Sequence, residues 1–243
     1  MMAAMSEPRV FAPDAEEGHD IRLPDDEGAH VTRVLRLGVG DTLRVFDGKG
    51  AEYAAEIIAA RRADVRARIM HPQESAPESP VSFVVAPSLI KGDGFDEIVR
   101  DAVMMGASSV RPVVTERTVV KPRDSMVDRW ERVALAATKQ SGRAVLPRIE
   151  APVTLDRLIA ADASAKRFVF VEPSADVLVT DVLKMPPPLS ALVLLGPEGG
   201  WSPAELQLFK EKAMAFVRIG RRTITSERAT VAALAVLMAA WER

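Results

Sequence analysis

The chain has 243 residues, enough for one or two domains that each bury a core, and its 48% hydrophobic and 27% charged residues are ordinary for a globular protein. The formal net charge of −2 argues against binding of nucleic acid through bulk positive charge, so any RNA-binding groups must be concentrated locally. The absence of cysteine excludes disulfides, cysteine–zinc sites and thiol nucleophiles, and three scattered histidines predict no protein-bound metal.

Residues 1–72 have the pattern of a small β-rich domain. An early segment, residues 27–37, has the apolar spacing of a helix and is followed by Gly38. Three segments alternate between apolar and polar residues as strands do: residues 42–46, 52–58 and 65–70. The turn sequence Asp47-Gly48-Lys49-Gly50 joins the first two as a hairpin. Short strands with one early helix indicate a compact barrel.

Residues 73–80, rich in Glu, Ser and Pro, are predicted to be a linker to a second domain that spans residues 81–243. In that domain, strands are predicted at residues 81–86, 109–114, 168–171, 192–195 and 216–219. Helices are predicted at residues 93–105, at residues 125–140, from Ser202 onwards, and at residues 227–241. Alternating strands and helices indicate an α/β fold with a mostly parallel sheet covered by helices.

The last predicted helix, residues 227–241, is almost entirely apolar. Two interpretations stay open: the helix is buried within its own domain, or it is buried against a partner subunit. No apolar run is long enough to cross a membrane, and residues 1–6 have neither the basic start nor the apolar stretch of a signal peptide. We therefore expect a cytoplasmic protein.

Two glycine-containing loops lie in the last quarter of the chain. The first follows an apolar run and contains Gly196, Gly199 and Gly200, which allow close approach of backbone to a ligand. It leads into Ser202-Pro203-Ala204-Glu205, a helix start with a capping box. The second loop spans residues 219–228. A tight turn without a ligand would explain one such loop, but two in succession favour a pocket.

The known phosphate-binding motifs do not occur where they would be expected. The first junction of strand and helix, residues 87–92, lacks the Gly-x-Gly-x-x-Gly of a dinucleotide fold. The chain also has no Gly-Lys-Ser/Thr phosphate loop. The ligand is therefore expected to be held by the backbone of the two late loops, which suits an adenosine-containing cofactor with few charges.

Gly196-Pro197-Glu198-Gly199-Gly200-Trp201-Ser202, followed by Glu205, resembles the signature of the RsmE family, the 16S rRNA uracil-N3 methyltransferases of the SPOUT superfamily. Further stretches resemble the family's pattern: Arg129-Trp130, Gln140-Ser141-Gly142-Arg143, Lys91-Gly92-Asp93, Gly106, Pro112, Glu116-Arg117, Val34-Leu35-Arg36, Gly40-Asp41 and Asp47-Gly48. The resemblance therefore covers nearly the whole chain.

The resemblance implies a SPOUT-type α/β domain with a deep trefoil knot in residues 81–243, preceded by a PUA-like β-barrel RNA-binding domain in residues 1–72. It implies a homodimer joined through the last helices, and S-adenosylmethionine as the cofactor. The residues expected to bind this cofactor are Leu195, Gly196, Glu198, Gly199, Gly200, Ile219, Gly220, Arg222, Ile224 and Thr225. The implied substrate is a uridine near the 3′ end of 16S rRNA in the small ribosomal subunit. The residues expected to contact RNA are Arg33, Arg36, Gln140, Ser141 and Arg143.

Methylation at C5 of a pyrimidine generally requires a cysteine nucleophile, whereas methylation at a nitrogen or a ribose oxygen requires alignment with the methyl group and removal of a proton. A donor beside the uracil carbonyls would stabilise the developing anion. Candidate donors are Arg143, Arg222 and Arg228, and candidate bases are Glu198 and Glu227; the expected catalytic set is Arg143, Glu227 and Arg228. Structural roles stay open for both glutamates: first-turn helix stabilisation for Glu227 and loop capping for Glu198.

The chain departs from the family's pattern at several positions. Thr225 stands where the family usually has arginine, and we expect Arg228 to replace that arginine because it lies on the same helical face. Asp101 and Met104 stand where the family has lysine and glutamate. Two alternatives to uracil-N3 methylation therefore remain: ribose 2′-O-methylation by the same fold, and a diverged, non-catalytic rRNA-binding assembly factor.

Overall fold

The computed structural model describes residues 7–171, 182 and 184–242, and the first six residues of the predicted first domain lie outside this part. The chain divides into two compact units. The first comprises Met1–Glu78 and Thr138–Leu146, and the second comprises Ser79–Ala137 and Pro147–Arg243. A short segment far along the sequence thus belongs to the N-terminal unit.

The first unit is built on a five-stranded sheet with the order β1-β3-β4-β5-β2. Its strands are β1 (Arg9–Phe11), β2 (Asp20–Arg22), β3 (Thr42–Phe46), β4 (Glu52–Arg61) and β5 (Asp64–Pro72). The predicted hairpin is present as the antiparallel pair β3–β4, and β4 extends three residues further than predicted. The three-residue strands β1 and β2 were not predicted, because they are too short to show a period.

The predicted helix at residues 27–37 is wrong in its bounds and partly in its type. Helix α1 (Asp25–Ala29) begins two residues earlier, and it continues as a π-helical segment, His30–Val34. The wider π turn is closed by a hydrogen bond from the amide of Leu35 to the carbonyl of His30, 3.0 Å long. Arg36 has a left-handed backbone with φ +57°, which prevents the helix from continuing.

Residues 138–146 are bound to the rest of the first unit by charged side chains. The guanidinium of Arg9 forms a bidentate pair with the buried Glu52, at 2.8 Å for each bond. The same group donates to the carbonyls of Thr138 and Lys139 at the C-terminal end of a helix, where a cation is favoured. Lys139 in turn pairs with Glu27 of α1. These contacts explain why this segment belongs to the N-terminal unit.

The second unit contains a six-stranded sheet in which every pair of neighbouring strands is parallel, with the order β13-β11-β12-β6-β7-β9. Its strands are β6 (Ser82–Pro87), β7 (Ala107–Val110), β9 (Arg148–Ile149), β11 (Lys166–Phe170), β12 (Ser190–Leu195) and β13 (Ala215–Val217). A separate two-stranded sheet joins β8 (Val113–Val114) and β10 (Val153–Thr154). The strand predicted at residues 109–114 is therefore two strands, separated at Pro112, which lacks the amide that a ladder needs.

Helices cover both faces of the six-stranded sheet. They are α2 (Gly94–Met104), α3 (Ser125–Ser141), α4 (Leu155–Ala161), α5 (Pro203–Glu211) and α6 (Ser226–Trp241). One core cluster joins Phe83, Phe168 and Val193 of the sheet to apolar side chains of α2, α3 and α6. A second cluster joins Leu192 and Leu194 to α4 and α5 on the opposite face. Burial on both faces explains why these strands are continuous apolar runs in the sequence.

The last helix packs within its own domain along one face. Leu234 and Leu237 are fully buried, and Trp241 packs against Phe83 and Phe168 at ring-centroid distances of 6.1 and 5.8 Å. The predicted α/β fold with a mostly parallel sheet, preceded by a small β-rich domain, is confirmed. The trefoil knot implied by the resemblance stays a prediction. In the described part of the chain, no helix is long and apolar enough to cross a membrane.

Candidate functional site

A cavity of about 270 Å³ opens at the carboxyl ends of β11, β12 and β13. Ligands of open parallel sheets bind at this edge, because the loops that leave the strands there are free to surround them. The cavity is lined by Phe170, Val171, Leu195, Gly196, Pro197, Glu198, Gly200, Trp201, Arg218, Ile219, Arg222, Thr223, Ile224, Thr225, Ser226 and Ala229. Most of these residues belong to the two glycine-containing loops.

The loop after β12, which we call the first loop (residues 196–202), is held in place by Trp201. The indole of Trp201 donates a hydrogen bond to the carbonyl of Phe170 at 3.0 Å and packs edge-on against Phe209 at 4.9 Å. The backbone of Gly196 lies so close to Trp201 that a Cβ on Gly196 would be 3.1 Å from the indole ring. Gly200 has φ +67°, a conformation that glycine adopts without strain.

The second loop, predicted at residues 219–228, spans residues 218–225 between β13 and α6 in the structure, and the first residue of α6 is hydrogen-bonded to the first loop. The hydroxyl of Ser226, the first residue of α6, donates to the carbonyl of Gly196 over 3.0 Å. Gly220 supplies a left-handed turn with φ +74°. Together the two loops form the mouth of the cavity.

A third segment, the turn at residues 115–118, is hydrogen-bonded to the first loop and to the start of α5. Glu205, which is 7% exposed, forms the predicted capping box with Ser202, and its other carboxylate oxygen accepts the amide hydrogen of Glu116 at 2.9 Å. Arg117 donates a hydrogen bond to the carbonyl of Gly199 at 2.7 Å. Glu116 and Arg117 match the family's pattern in the sequence, but no local signal there places them at the site.

The predicted cofactor-binding residues fall mostly at this cavity. The residues that line it are Leu195, Gly196, Glu198, Gly200, Ile219, Arg222, Ile224 and Thr225. Gly199 and Gly220 do not line it: Gly199 faces the side chain of Arg117, and an added Cβ at Gly220 would meet no atom within 4 Å. Phe170 also lines the cavity and was not predicted to do so, although its position near the carboxyl end of a predicted strand was an available signal.

Two of the three predicted catalytic residues, Glu227 and Arg228, belong to α6 but do not line the cavity. Glu227 lies against the start of α2, where its carboxylate is 2.7 Å from the position a Cβ on Gly94 would take. Arg228 is exposed, and its positive charge lowers the pKa of Asp101 of α2. The pKa of Asp101 is raised, first by burial and then by the like charge of Glu97, while Arg228 and Arg100 partly offset the increase.

The third predicted catalytic residue, Arg143, belongs to the first unit. It is 4% exposed, and its guanidinium pairs with both carboxylate oxygens of Glu78 at 2.9 and 2.5 Å. Gln140 and Ser141 belong to the same short segment, and the hydroxyl of Ser141 donates to the carbonyl of Thr138. The predicted RNA contacts Arg33 and Arg36 are both exposed on the first unit.

The parallel sheet, the cavity between two late loops and the preceding PUA-like unit define an α/β protein of the methyltransferase class. A family model described as "RNA methyltransferase domain" matches residues 77–238, and another described as "RNA methyltransferase PUA domain" matches residues 23–70. No group of side chains able to hold a metal ion occurs among the described residues.

Ribosomal RNA small subunit methyltransferase E of Synechocystis sp. is 30% identical over 236 residues, which cover 96% of this chain and 77% of that protein. The protein of the same name from Bacillus subtilis is 26% identical over 237 residues, which cover 91% of this chain and 91% of that protein. The chain belongs to this family of RNA methyltransferases, as the resemblance implied, and it combines a PUA-like domain with an α/β domain of the SPOUT class.

Two solved structures are similar to the whole chain. A putative methyltransferase from Legionella pneumophila, in complex with bound S-adenosylmethionine, has a TM-score of 0.90 at 28% identity, covering 97% of this chain and 98% of that one. Ribosomal RNA small subunit methyltransferase E from Neisseria gonorrhoeae, bound to S-adenosylmethionine, has a TM-score of 0.89 at 26% identity with the same coverage.

Proposed function

We propose that this protein transfers the methyl group of S-adenosylmethionine to N3 of a uridine in the 16S rRNA of the small ribosomal subunit. The observation that carries the proposal is the cavity between the two late loops, in a chain that belongs to the RNA methyltransferase family. The relatives of this chain are named for the small-subunit rRNA, and two similar structures contain S-adenosylmethionine. The site of action would be cytoplasmic, where ribosomal subunits are assembled.

The residues around the cavity suit this cofactor. Leu195, Ile219 and Ile224 provide apolar surface for an adenine, and the backbone groups of the two loops provide donors and acceptors for its polar edges. Gly196 brings backbone close to Trp201 without a side chain between them. When bound there, the cofactor supplies an electrophilic methyl group. The cavity residues hold and orient it and exclude water.

Glu198 and Arg222 are the charged residues that we assign to the transfer step. Both line the cavity, whereas Glu227 and Arg228 face α2 and Arg143 is paired with Glu78. Uracil N3–H lies between two carbonyl groups, so a base must take its proton while a donor stabilises the negative charge on oxygen. In this proposal Glu198 takes the proton and Arg222 donates to a carbonyl oxygen.

The assignment is tested by single-turnover methyl transfer to small ribosomal subunits that lack the modification. Glu198→Gln and Arg222→Ala should each lower the single-turnover rate at saturating cofactor roughly 10²-fold or more, a larger factor than either change in cofactor affinity. Arg221→Ala is the matched control, since Arg221 is exposed and does not line the cavity. Unchanged rates in the first two variants would overturn their roles, and no transfer by the wild type would overturn the function itself.

We also propose a homodimer that forms through the outer face of α6. Ala232, Ala235 and Val236 are small or apolar and half-buried or exposed on this face, and Met104 of the neighbouring α2 is 39% exposed. Small side chains let two helices approach closely, and apolar surface of this kind marks interfaces. Ala235→Arg should give a monomer by sedimentation velocity. Ala160→Arg, on the exposed side of α4, should leave the dimer intact.

A further inference from the structure

The turn at residues 115–118 lies in the connection between β8 and α3 and is closed by its own hydrogen bonds. The hydroxyl of Thr118 accepts the amide hydrogen of Thr115 at 2.9 Å, and the amide of Thr118 donates to the carbonyl of Thr115 at 3.1 Å. Thr115 is buried. Because hydroxyl groups placed in this way hold a turn in one conformation, the side chain of Arg117 leaves the turn from a defined position.

The turn is attached to the start of α5 by the buried carboxylate of Glu205. One carboxylate oxygen accepts the amide hydrogen of Glu116 at 2.9 Å, and the other accepts that of Ser202 at 2.8 Å. Hydrogen bonds to a buried carboxylate are stronger than neutral ones, because they are charge-assisted in a medium of low dielectric constant. The backbone next to Arg117 is therefore fixed beside the first loop.

Arg117 extends from this turn to the middle of the first loop. Its guanidinium donates a hydrogen bond to the carbonyl of Gly199 at 2.7 Å. The aliphatic part of the side chain lies along the same residue, since a Cβ on Gly199 would be 3.4 Å from the Cβ and 3.5 Å from the Cδ of Arg117. The arginine both packs on the loop and is hydrogen-bonded to it.

The carbonyl that Arg117 contacts belongs to a β-turn that carries Glu198. The amide of Gly200 donates to the carbonyl of Pro197 at 2.9 Å, and this bond closes the turn with Glu198 and Gly199 at its centre. Glycine has little preference among backbone conformations, so the two glycines after Glu198 leave the direction of its side chain weakly determined by the loop itself. The contact from Arg117 restrains the turn.

We propose that Arg117 is a positioning residue for methyl transfer: by holding the carbonyl of Gly199, it keeps the carboxylate of Glu198 directed into the cavity that Glu198 lines. The inference rests on the proposed function, in which Glu198 takes the proton from N3 of the uracil. A base must lie within hydrogen-bond distance of that proton, and small displacements of a reacting group cost large factors in rate. Arg117 itself does not line the cavity, so it acts on the reaction through the loop.

The test compares Arg117→Ala with the wild type in single-turnover methyl transfer at saturating cofactor and saturating small ribosomal subunits. The rate should fall about tenfold, since the turn loses one of its restraints but keeps its own hydrogen bond. Cofactor affinity should change little, because Ser226 still joins the two loops at Gly196. Arg117→Lys retains a donor and should restore most of the rate. Arg123→Ala removes an exposed arginine of the same connection and should leave the rate unchanged.

A double-mutant cycle with Glu198→Gln determines whether Arg117 acts through Glu198. When the carboxylate is already absent, Arg117→Ala should cause little further loss of rate. An equal loss in both backgrounds would overturn the proposal, because the two side chains would then act independently. A loss that disappears at higher subunit concentration would overturn it as well, since that result indicates direct binding of RNA by Arg117.

Hydrogen–deuterium exchange tests the restraint without turnover. Arg117→Ala should speed exchange of the Gly200 amide about fivefold, the factor expected for the loss of one net hydrogen bond. No transfer by the wild type would overturn the proposed function. Transfer by the wild type together with unchanged exchange in the variant would overturn the role of Arg117 alone.

Discussion

Ser226 at the start of α6 donates a hydrogen bond to the carbonyl oxygen of Gly196, and the 3.0 Å contact joins the two loops that form the cavity. Gly196 begins the loop after β12, and Ser226 is the first residue of α6, directly after the loop that follows β13. The positions of the two loops are therefore coupled, and a ligand between them depends on both.

Ser226→Ala should weaken the binding of S-adenosylmethionine about fivefold, because one net hydrogen bond contributes about 1 kcal/mol. Isothermal titration calorimetry measures the change. Ser108→Ala is a matched control: Ser108 also donates to a backbone carbonyl, that of Phe83, but at the opposite end of the sheet. Equal affinities of the two variants would show that the contact does not order the site.

Gly196→Ala should weaken cofactor binding more strongly than Gly199→Ala. A Cβ at Gly196 would lie 3.1 Å from the indole of Trp201, so the indole must move and its hydrogen bond to Phe170 must lengthen. Overpacking of this kind costs about 1–3 kcal/mol. At Gly199 the nearest atom is 3.4 Å away, which is ordinary contact. Calorimetry on both variants checks the order, and a larger loss for Gly199→Ala would contradict the geometry.

Arg143→Ala should destabilise the first unit and leave cofactor affinity unchanged. Removal of the guanidinium leaves Glu78 without its bidentate partner, and hydrogen bonds to charged groups contribute about 1.5–3 kcal/mol. The lower end is expected, because the side chain of Glu78 is 34% exposed. Urea denaturation measures the loss, and Glu78→Ala should give a similar one. A stable Arg143→Ala protein with lost turnover would instead support the catalytic role predicted from the sequence.

Asp101→Asn should stabilise the protein at pH 7 more than at pH 4. The pKa of Asp101 is raised by burial and by Glu97, so the folded protein holds this proton more tightly than the unfolded chain does. The free energy of unfolding therefore falls as the pH rises from the ordinary aspartate pKa through the raised value. Denaturation at both pH values checks the prediction, and an Asn variant that is less stable at pH 7 would contradict it.

Arg228→Ala separates two roles of one residue. Arg228 lowers the pKa of Asp101, and both residues stand where the family's pattern has other side chains. If the arginine acts only on this carboxylate, its removal should lower stability at pH 7 while single-turnover rates stay at the wild-type value. A rate that falls roughly 10²-fold at unchanged stability would restore the transition-state role expected from the sequence.

The sequence predicted those helices and strands that are long enough to repeat their hydrophobic period. It also predicted the cavity, because the glycine-containing loops are visible as short local motifs. The hairpin β3–β4, the central parallel strands and the capping box at Ser202 are encoded within a few residues of each other. The two-residue strands β9 and β10 are too short to show a period and were missed. Pro112 itself is the sequence signal for the break between β7 and β8, because proline lacks the amide hydrogen that a strand ladder needs.

Contacts between distant parts of the chain could not be predicted from local pattern. Nothing near Arg143 in the sequence indicates that Glu78, 65 residues earlier, binds its guanidinium. The same holds for Gly199, which the loop composition placed at the cofactor but which faces Arg117, 82 residues earlier. Residue types indicated which side chains could bind the cofactor or transfer a proton. Tertiary packing determines which of these side chains line the cavity and which are paired elsewhere.

The most direct test of the account is the identity of the methylated nucleoside. Small ribosomal subunits without the modification are incubated with the purified protein and S-adenosylmethionine, and the 16S rRNA is digested and analysed by mass spectrometry. The account predicts N3-methyluridine, formed only when the cofactor is present. A ribose-methylated nucleoside, or no new methylated nucleoside at all, would contradict it.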